Sequence, residues 1–77
     1  MGSFVRFILK FKHENNAYGD VARDILADPM VNRNWGYAGF SRHLYHKQAS
    51  QRVFEIVDDL AFQFMEMKMK MLRPSLA

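Results

Sequence analysis

The sequence predicts an all-α domain, a compact and irregular four-helix bundle with a long C-terminal helix. Apolar side chains recur with helical spacing in four segments, residues that cap or end helices separate those segments, and no segment shows the alternation typical of a strand. Of the 77 residues, 49% are hydrophobic and 25% are charged. This composition is typical of a folded globular protein and excludes a disordered chain. Residues 1–77 are therefore expected to form a single helical domain.

The first helix is predicted over residues 3–12, with Ser3 as its N-cap. Its apolar side chains recur at intervals of three and four residues, and they form the expected inner face: Phe4, Phe7, Ile8 and Phe11. The polar cluster at residues 13–16 then interrupts the pattern and predicts a loop.

The second helix is predicted over residues 17–27, with Asn16 as its N-cap. Pro29 ends it, because a proline disfavours helical geometry in the residue before it. The expected inner face consists of Tyr18, Val21, Ala22 and Ile25. Three acids lie on a row that is expected to face water: Asp20, Asp24 and Asp28. Gly19 is unfavourable in the first turn, by about 1 kcal/mol relative to alanine.

A connection over residues 29–36 leads to a third helix, predicted over residues 37–46. Because the connection carries three large apolar side chains, it is expected to fold over the core: Met30, Val31 and Trp35. The expected inner face of the third helix consists of Tyr37, Phe40 and Leu44. Arg42 and His46 fall nearly opposite that face.

The last helix is predicted over residues 51–72, with Ser50 as its N-cap. A heptad-like seam forms its expected inner face: Val53, Val57, Leu60, Phe64, Met67 and Met71. At 1.5 Å per residue the helix would be about 33 Å long, which is more than a small core requires. The core is therefore expected within residues 3–66, and residues 67–77 are expected to form a Met-rich extension, helical or frayed.

Three stretches of the sequence carry a family resemblance: S-F-x-x-F-I-L-K-F-K-H at residues 3–13, Y-x-x-F-x-x-x-L at 37–44 and D-D-x-x-x-Q-F at 58–64. Together they resemble the YozE-like family, small bacterial proteins with a sterile-alpha-motif-like helical fold. The family has an Ala-Trp pair where this chain has Leu60-Ala61, and a polar residue at the position of Phe62. The resemblance implies a sterile-alpha-motif-like four-helix fold and no reaction, and by analogy of fold it implies binding to protein or nucleic acid.

The charges occur in blocks along the chain. The formal net charge is +3, but residues 29–54 carry +4 without an acid and residues 55–67 carry −4 without a base. One interpretation is that opposite charges pair across the bundle. A second is a basic surface for nucleic-acid phosphates or an acidic protein, formed by Arg33, Arg42, His46, Lys47 and Arg52. A third is head-to-tail pairing of the two blocks between copies, with Asp58 and Asp59 on the acidic side.

Methionines alternate along the end of the last helix. On a helix this spacing forms two stripes, Met65 with Met69 and Met67 with Met71. One stripe can continue the core seam, and the other is expected to be exposed, where methionine suits permissive binding surfaces. The candidate residues for self-association are therefore Met67, Met69, Met71, Asp58 and Asp59. The alternative is a fraying extension with no binding role.

No set of residues predicts catalysis, a metal site or a cofactor. His43 and His46 are three residues apart, but no cysteine or nearby acid completes a metal site, so both are expected to face solvent. The serines lack a nucleophile elbow, and there is no glycine-rich phosphate loop.

The sequence contains no cysteine, which favours a reducing compartment. Its longest unbroken apolar run is three residues, too short to span a membrane. The sequence therefore predicts a cytoplasmic, non-enzymatic binding domain without a cofactor, a membrane partner or a small-molecule substrate. Its leading partner is a protein or its own copy, and the alternative is weak, salt-sensitive binding of nucleic acid.

Overall fold

The structure is a computed structural model that describes residues 2–72; this part of the chain forms four helices and no strand. The helices are α1 (Phe4–Leu9), α2 (Ala17–Ala27), α3 (Tyr37–His46) and α4 (Gln51–Leu72). The all-α prediction is confirmed, and so are the predicted bounds of α2, α3 and α4. The predicted extension is helical as far as Leu72, and residues 73–77 lie outside the described residues.

Three predicted N-caps make the expected hydrogen bonds. The side-chain oxygen of Ser3 accepts from the Arg6 amide at 3.2 Å, and that of Asn16 accepts from the Gly19 amide at 3.0 Å. The Ser50 hydroxyl accepts from the amide of residue 53 at 3.3 Å. These bonds satisfy backbone donors that the first turn of a helix leaves without a partner, so they determine where α1, α2 and α4 begin.

The end of α1 differs from the prediction, because the helix stops at Leu9 and not at residue 12. The amides of residues 10–12 each bond to the carbonyl three residues earlier, so the chain tightens into turns of the 3₁₀ type. The Arg23 guanidinium on α2 donates to the carbonyl oxygens of Lys12 and Glu14, both at 2.9 Å. These bonds satisfy acceptors beyond the end of α1 and tie the following loop to α2.

The core lies where α1 packs against the other three helices. Among the residues whose burial the structure describes, eleven apolar side chains are buried: Phe4, Val5, Phe7, Ile8, Val21, Ala22, Ile25, Phe40, Leu44, Val57 and Leu60. All except Val5 occupy predicted inner positions. The Val5 amide donates to the Trp35 carbonyl at 3.3 Å, so the connection after α2 covers a further side of α1. The helical spacing of α1 alone contains no signal for this contact.

Phe4 is the aromatic centre of the core. Its ring centroid lies 5.8 Å from that of Tyr37, 6.5 Å from that of Phe40 and 5.6 Å from that of Phe64. The rings meet at tilted or edge-on angles, as their quadrupoles favour. Phe4 therefore joins α1 to both α3 and α4.

Three side chains that were predicted to be inside are exposed: Met30, Tyr37 and Met71. Met30 lies at the tip of the turn after α2, whereas Val31 and Trp35 of the same connection pack on the core as predicted. Tyr37 occupies the first position of α3, and Met71 lies on the last turns of α4, beside the start of α1. Both lie at the edge of a helix contact, and helical periodicity carries no information about where such a contact ends.

Candidate functional site

One side of α4 carries large apolar side chains that remain exposed. Phe62 is 63% exposed, Met65 is 60% exposed and Met69 is 54% exposed. They are spaced three and four residues apart, so they share one side of the helix. We call this surface, together with the exposed ring of Tyr37, the α4 face. Clustered apolar side chains of this kind, unlike isolated ones, are typical of interaction sites.

The α4 face exists because α4 carries apolar residues on a second side of the helix as well as on the side that packs against the core. Val57 is fully buried in the core. Phe62 comes five residues later, which places it about 140° further around a helix of 3.6 residues per turn. A side chain at that angle points away from the bundle that buries Val57, so packing within the domain leaves Phe62 uncovered.

A shallow depression of about 530 Å³ lies on the α4 face. Its lining residues on α4 are Asp58, Ala61, Phe62, Phe64, Met65 and Lys68. Asp58 and Lys68 are ten residues apart, so they lie about 15 Å apart along the helix, at opposite ends of the depression. The depression therefore has an apolar centre, an acid at one end and a base at the other.

Both charges contact an aromatic side chain. The Tyr37 hydroxyl donates to a carboxylate oxygen of Asp58 at 2.5 Å, and this hydrogen bond raises the pKa of Tyr37 above its ordinary value. The Lys68 ammonium nitrogen lies 5.3 Å from the centroid of the Phe64 ring. Asp58 is thus held in place by a residue of α3, beside the apolar centre of the face.

Asp59, the second acid predicted for self-association, points to a different helix. Its carboxylate accepts a hydrogen bond from the Tyr18 hydroxyl of α2, which raises the pKa of Tyr18. Asp59 remains exposed. The neighbouring acids therefore belong to different surfaces, and only Asp58 borders the α4 face.

The methionines divide only in part as the two predicted stripes require, because Met67 packs on the core whereas Met71 of the same stripe is exposed. Met67 is half-buried against the core, so it continues the core seam. Met65 and Met69 form the exposed stripe, and Met71 is exposed as well. Phe62 was missed as part of this surface, although its spacing of three residues from Met65 was a signal that could have identified it. The role of Met67, Met69 and Met71 in self-association stays a prediction.

The residues of the predicted basic surface are all exposed: Arg33, Arg42, His46, Lys47 and Arg52. Arg42 and His46 lie one turn apart on α3, as predicted. The Lys47 ammonium is 2.8 Å from a carboxylate oxygen of Asp28, so part of its charge is neutralised within the molecule. At Lys47, therefore, opposite charges pair within the bundle, as the first interpretation of the charge blocks predicted.

The prediction that His43 and Asp28 face water is wrong. Their side chains are only 15% and 12% exposed, and His43 Nε2 lies 2.9 Å from a carboxylate oxygen of Asp28. The His43 ring also packs 5.4 Å from the ring of Trp35. Hydrogen bonds from Lys47, from His43 and from the Met30 amide lower the pKa of Asp28 well below its ordinary value. The acid is held at the junction of α2, the connection and α3.

Asp24 borders the same cavity as Asp28, His43 and Lys47, whereas Asp20 and His46 do not. His46 is exposed and Asp20 pairs with Arg23 at 2.6 Å, whereas Asp24 is exposed on α2. Within residues 2–72, no group of three or more metal-binding side chains is close enough to hold a metal ion. An apolar cavity of about 210 Å³ lies between α2, α3 and α4, with Asp28, His43 and Lys47 on its wall.

None of the family models, curated proteins or solved structures compared with the chain matches it. None of the helices in the described part of the chain combines the length and apolar character needed to cross a membrane.

Proposed function

We propose that this protein is a non-enzymatic interaction domain that binds a protein partner through the α4 face. The observation that carries the proposal is the exposure of Phe62, Met65 and Met69 on one side of a single helix. Removing apolar surface from water contributes about 25 cal/mol per Å², so a partner that covers three large side chains gains substantial free energy.

The chemistry of the α4 face resembles that of a protein interface. Such interfaces have an apolar centre rich in aromatic residues and methionine, with charged residues at the rim. Here Phe62 and Met65 form the centre, while Asp58 and Lys68 stand at the ends. The depression follows the helix axis, which favours a partner that presents an amphipathic helix.

The resemblance to the YozE-like family supports a binding role through analogy of fold. The sterile-alpha-motif-like architecture and the cytoplasmic location inferred from the cysteine-free sequence belong to the same proposal. The absence of a recognisable catalytic arrangement in the sequence supports the non-enzymatic part.

Site-specific photo-crosslinking in cells tests this proposal. A photoreactive phenylalanine analogue at position 62 is expected to crosslink one defined protein, whereas the same analogue at Tyr45, an exposed aromatic residue of α3, is not. The captured protein is identified by mass spectrometry, purified and titrated by calorimetry against the wild type and a Phe62→Lys variant. We expect that variant to bind on the order of tenfold to a hundredfold more weakly, because an aromatic anchor is lost. The same adducts from both positions, or unchanged affinity of Phe62→Lys, would show that the α4 face is not the binding site.

The second candidate function is salt-sensitive binding of nucleic acid. It is favoured by the exposure of all five basic-surface residues and by the lack of any acid in residues 29–54. Because Lys47 contacts Asp28, only about three or four phosphates could be neutralised, so the expected binding is weak.

Fluorescence anisotropy with a labelled single-stranded and a labelled double-stranded oligonucleotide distinguishes the two functions. Binding by the basic surface should weaken steeply between about 50 and about 200 mM salt. It should also weaken in an Arg42→Glu, Arg52→Glu variant, while Phe62→Ser, an uncharged change on the α4 face, serves as the control and should bind normally. A lack of binding at the lower salt concentration would reject this candidate.

A further inference from the structure

We propose that the partner of the α4 face is a second copy of this chain, which binds through the same face in an antiparallel, two-fold symmetric pair of α4 helices. This inference rests on the proposed binding role of the α4 face and adds the identity of the partner and its geometry. The observation behind it is the order of side chains along the face, from Asp58 through the apolar centre to Lys68.

That order is complementary to itself when one helix is reversed. Suppose that the two-fold axis passes between the helices at the height of Gln63. A residue that lies a given number of positions before Gln63 in one copy then faces the residue that lies the same number of positions after Gln63 in the second copy. Asp58 and Lys68 each lie five positions from residue 63, so every Asp58 faces a Lys68. Ala61 and Met65 each lie two positions from it, so a small side chain faces a large one. Phe62 lies one position from residue 63, so the two copies of Phe62 are offset by only about 3 Å along the helix axis and their rings can meet beside the two-fold axis.

The opposite orientation lacks this complementarity. In a parallel pair the two copies of Asp58 would lie together, and so would the two copies of Lys68, which would place like charges at both ends. The ends are about 15 Å apart along α4, so a charge at one end does not compensate for a charge at the other. The charges therefore determine the orientation, while the apolar centre formed by Phe62 and Met65 provides the affinity.

The structure also prepares Asp58 for this role. The hydroxyl of Tyr37 donates to its carboxylate at 2.5 Å, which directs the acid towards the edge of the apolar centre. The carboxylate has further acceptor sites for a lysine ammonium from the second copy. A contact through one helix face is small by the standards of protein interfaces, so we expect a dimer that forms at high protein concentration.

Charge exchange is the first test, with mass measured by light scattering and sedimentation over a wide range of protein concentration. The wild type should rise from 9.1 kDa towards twice that mass. Asp58→Lys and Lys68→Asp should each weaken dimerisation on the order of tenfold, because each places like charges together at both ends of the pair. The double variant Asp58→Lys, Lys68→Asp should restore most of the affinity. Lys70→Asp, an equal change of charge away from the face, is the matched control and should dimerise normally.

Disulfide trapping is the second test, and the absence of cysteine from the sequence makes it specific. A mixture of the Asp58→Cys and Lys68→Cys variants should form a mixed disulfide under mild oxidation, and each variant alone should form far less. Phe62→Cys should form a disulfide with its own copy. Circular dichroism and thermal unfolding in dilute solution establish that each variant is folded before its mass or crosslinking is compared.

The outcomes separate the dimer from the broader binding role. A mass of 9.1 kDa at every concentration would overturn the dimer, and so would a dimer that the double charge exchange fails to restore. Homodisulfides of Asp58→Cys that exceed the mixed species would overturn the antiparallel orientation. If position 62 then crosslinks a different protein whose binding Phe62→Lys abolishes, the proposed function stands without the dimer. If the analogue at position 62 crosslinks neither a second copy of this chain nor a different protein, both proposals fail.

Discussion

His43 Nε2 lies 2.9 Å from a carboxylate oxygen of Asp28, although fifteen residues separate the two in the chain. The Lys47 ammonium lies 2.8 Å from the same oxygen, and the Met30 amide donates to the other oxygen at 2.9 Å. Asp28 follows the last residue of α2, whereas His43 and Lys47 belong to α3 and its C-cap. One carboxylate therefore connects the end of α2 to the connection and to α3.

We expect Asp28→Asn to lower the stability of the fold, because the amide removes the charge that strengthens the bonds from Lys47 and His43. Urea unfolding should show a lower midpoint than that of the wild type. Asp24→Asn is the matched control, since Asp24 is an exposed acid one turn earlier on α2, and its midpoint should stay close to that of the wild type. Equal midpoints for the two variants would contradict a stabilising role for Asp28.

Acid should remove the stability that Asp28 provides. Contacts from Lys47, His43 and the Met30 amide lower its pKa below the ordinary value of 3.8, so the unfolded chain takes up this proton more readily than the folded protein does. The contribution is therefore present above the unfolded pKa and decreases as the pH falls below it. We expect the difference in urea midpoint between the wild type and Asp28→Asn to stay nearly constant above about pH 5 and to shrink as the pH falls from about 5 towards about 2. A difference that stays constant would show that the charge of Asp28 is unimportant.

Gly19→Ala should destabilise the protein, although alanine is the better helix former by about 1 kcal/mol. A Cβ atom at Gly19 would lie 1.9 Å from the Glu14 carbonyl oxygen, so the backbone before α2 would have to move. We expect a loss of about 1–3 kcal/mol in the free energy of unfolding, measured by urea denaturation. Gly36→Ala is the control, because a Cβ atom there meets nothing within 4 Å, and its loss should be smaller. A stabilised Gly19→Ala variant would contradict the close approach.

Gln48→Gly should stabilise the protein. Gln48 has a φ of 59°, in the left-handed region that costs a non-glycine residue about 1–2 kcal/mol. It follows α3 in a Schellman motif, where its amide bonds to the Tyr45 carbonyl and the Ala49 amide bonds to the Leu44 carbonyl, both at 3.0 Å. We expect a gain of about 1 kcal/mol in thermal unfolding experiments.

Gln63→Gly is the matched control for this substitution. The same change in the middle of α4 should cost about 1 kcal/mol, because that position is helical and glycine is a poor helix former. The two variants should therefore move the unfolding temperature in opposite directions. A shift of the same sign in both would contradict the role assigned to the backbone of residue 48.

The helices themselves were predictable because their signals are local. Asn16 accepts a bond from an amide three residues later, and Pro29 acts on the residue before it, so short stretches contain the information that bounds α2. The end of α1 was predicted three residues too late, because the chain tightens into turns of the 3₁₀ type after Leu9 and Arg23 of another helix bonds to the carbonyl of Lys12. A pattern that continued through Phe11 gave no indication of this contact.

The candidate surfaces were partly predictable for the same reason. Spacing alone divided the methionines into two stripes, but whether Met65 or Met67 faces the core depends on which side of α4 the other helices cover. Asp28 looked like one of three solvated acids in the sequence. Its partners come from α3 and its C-cap, and only their approach in space distinguishes Asp28 from Asp24.

The sequence by itself determined that this protein is helical, where three of its helices begin and end, and which side chains share a face. Only the tertiary structure decided which face is left uncovered, which acid is held between helices, and which tyrosine binds Asp58 from 21 residues away. The reason is physical: caps and periodicity act over a few neighbouring residues, whereas burial and the pairing of charges depend on how distant segments pack.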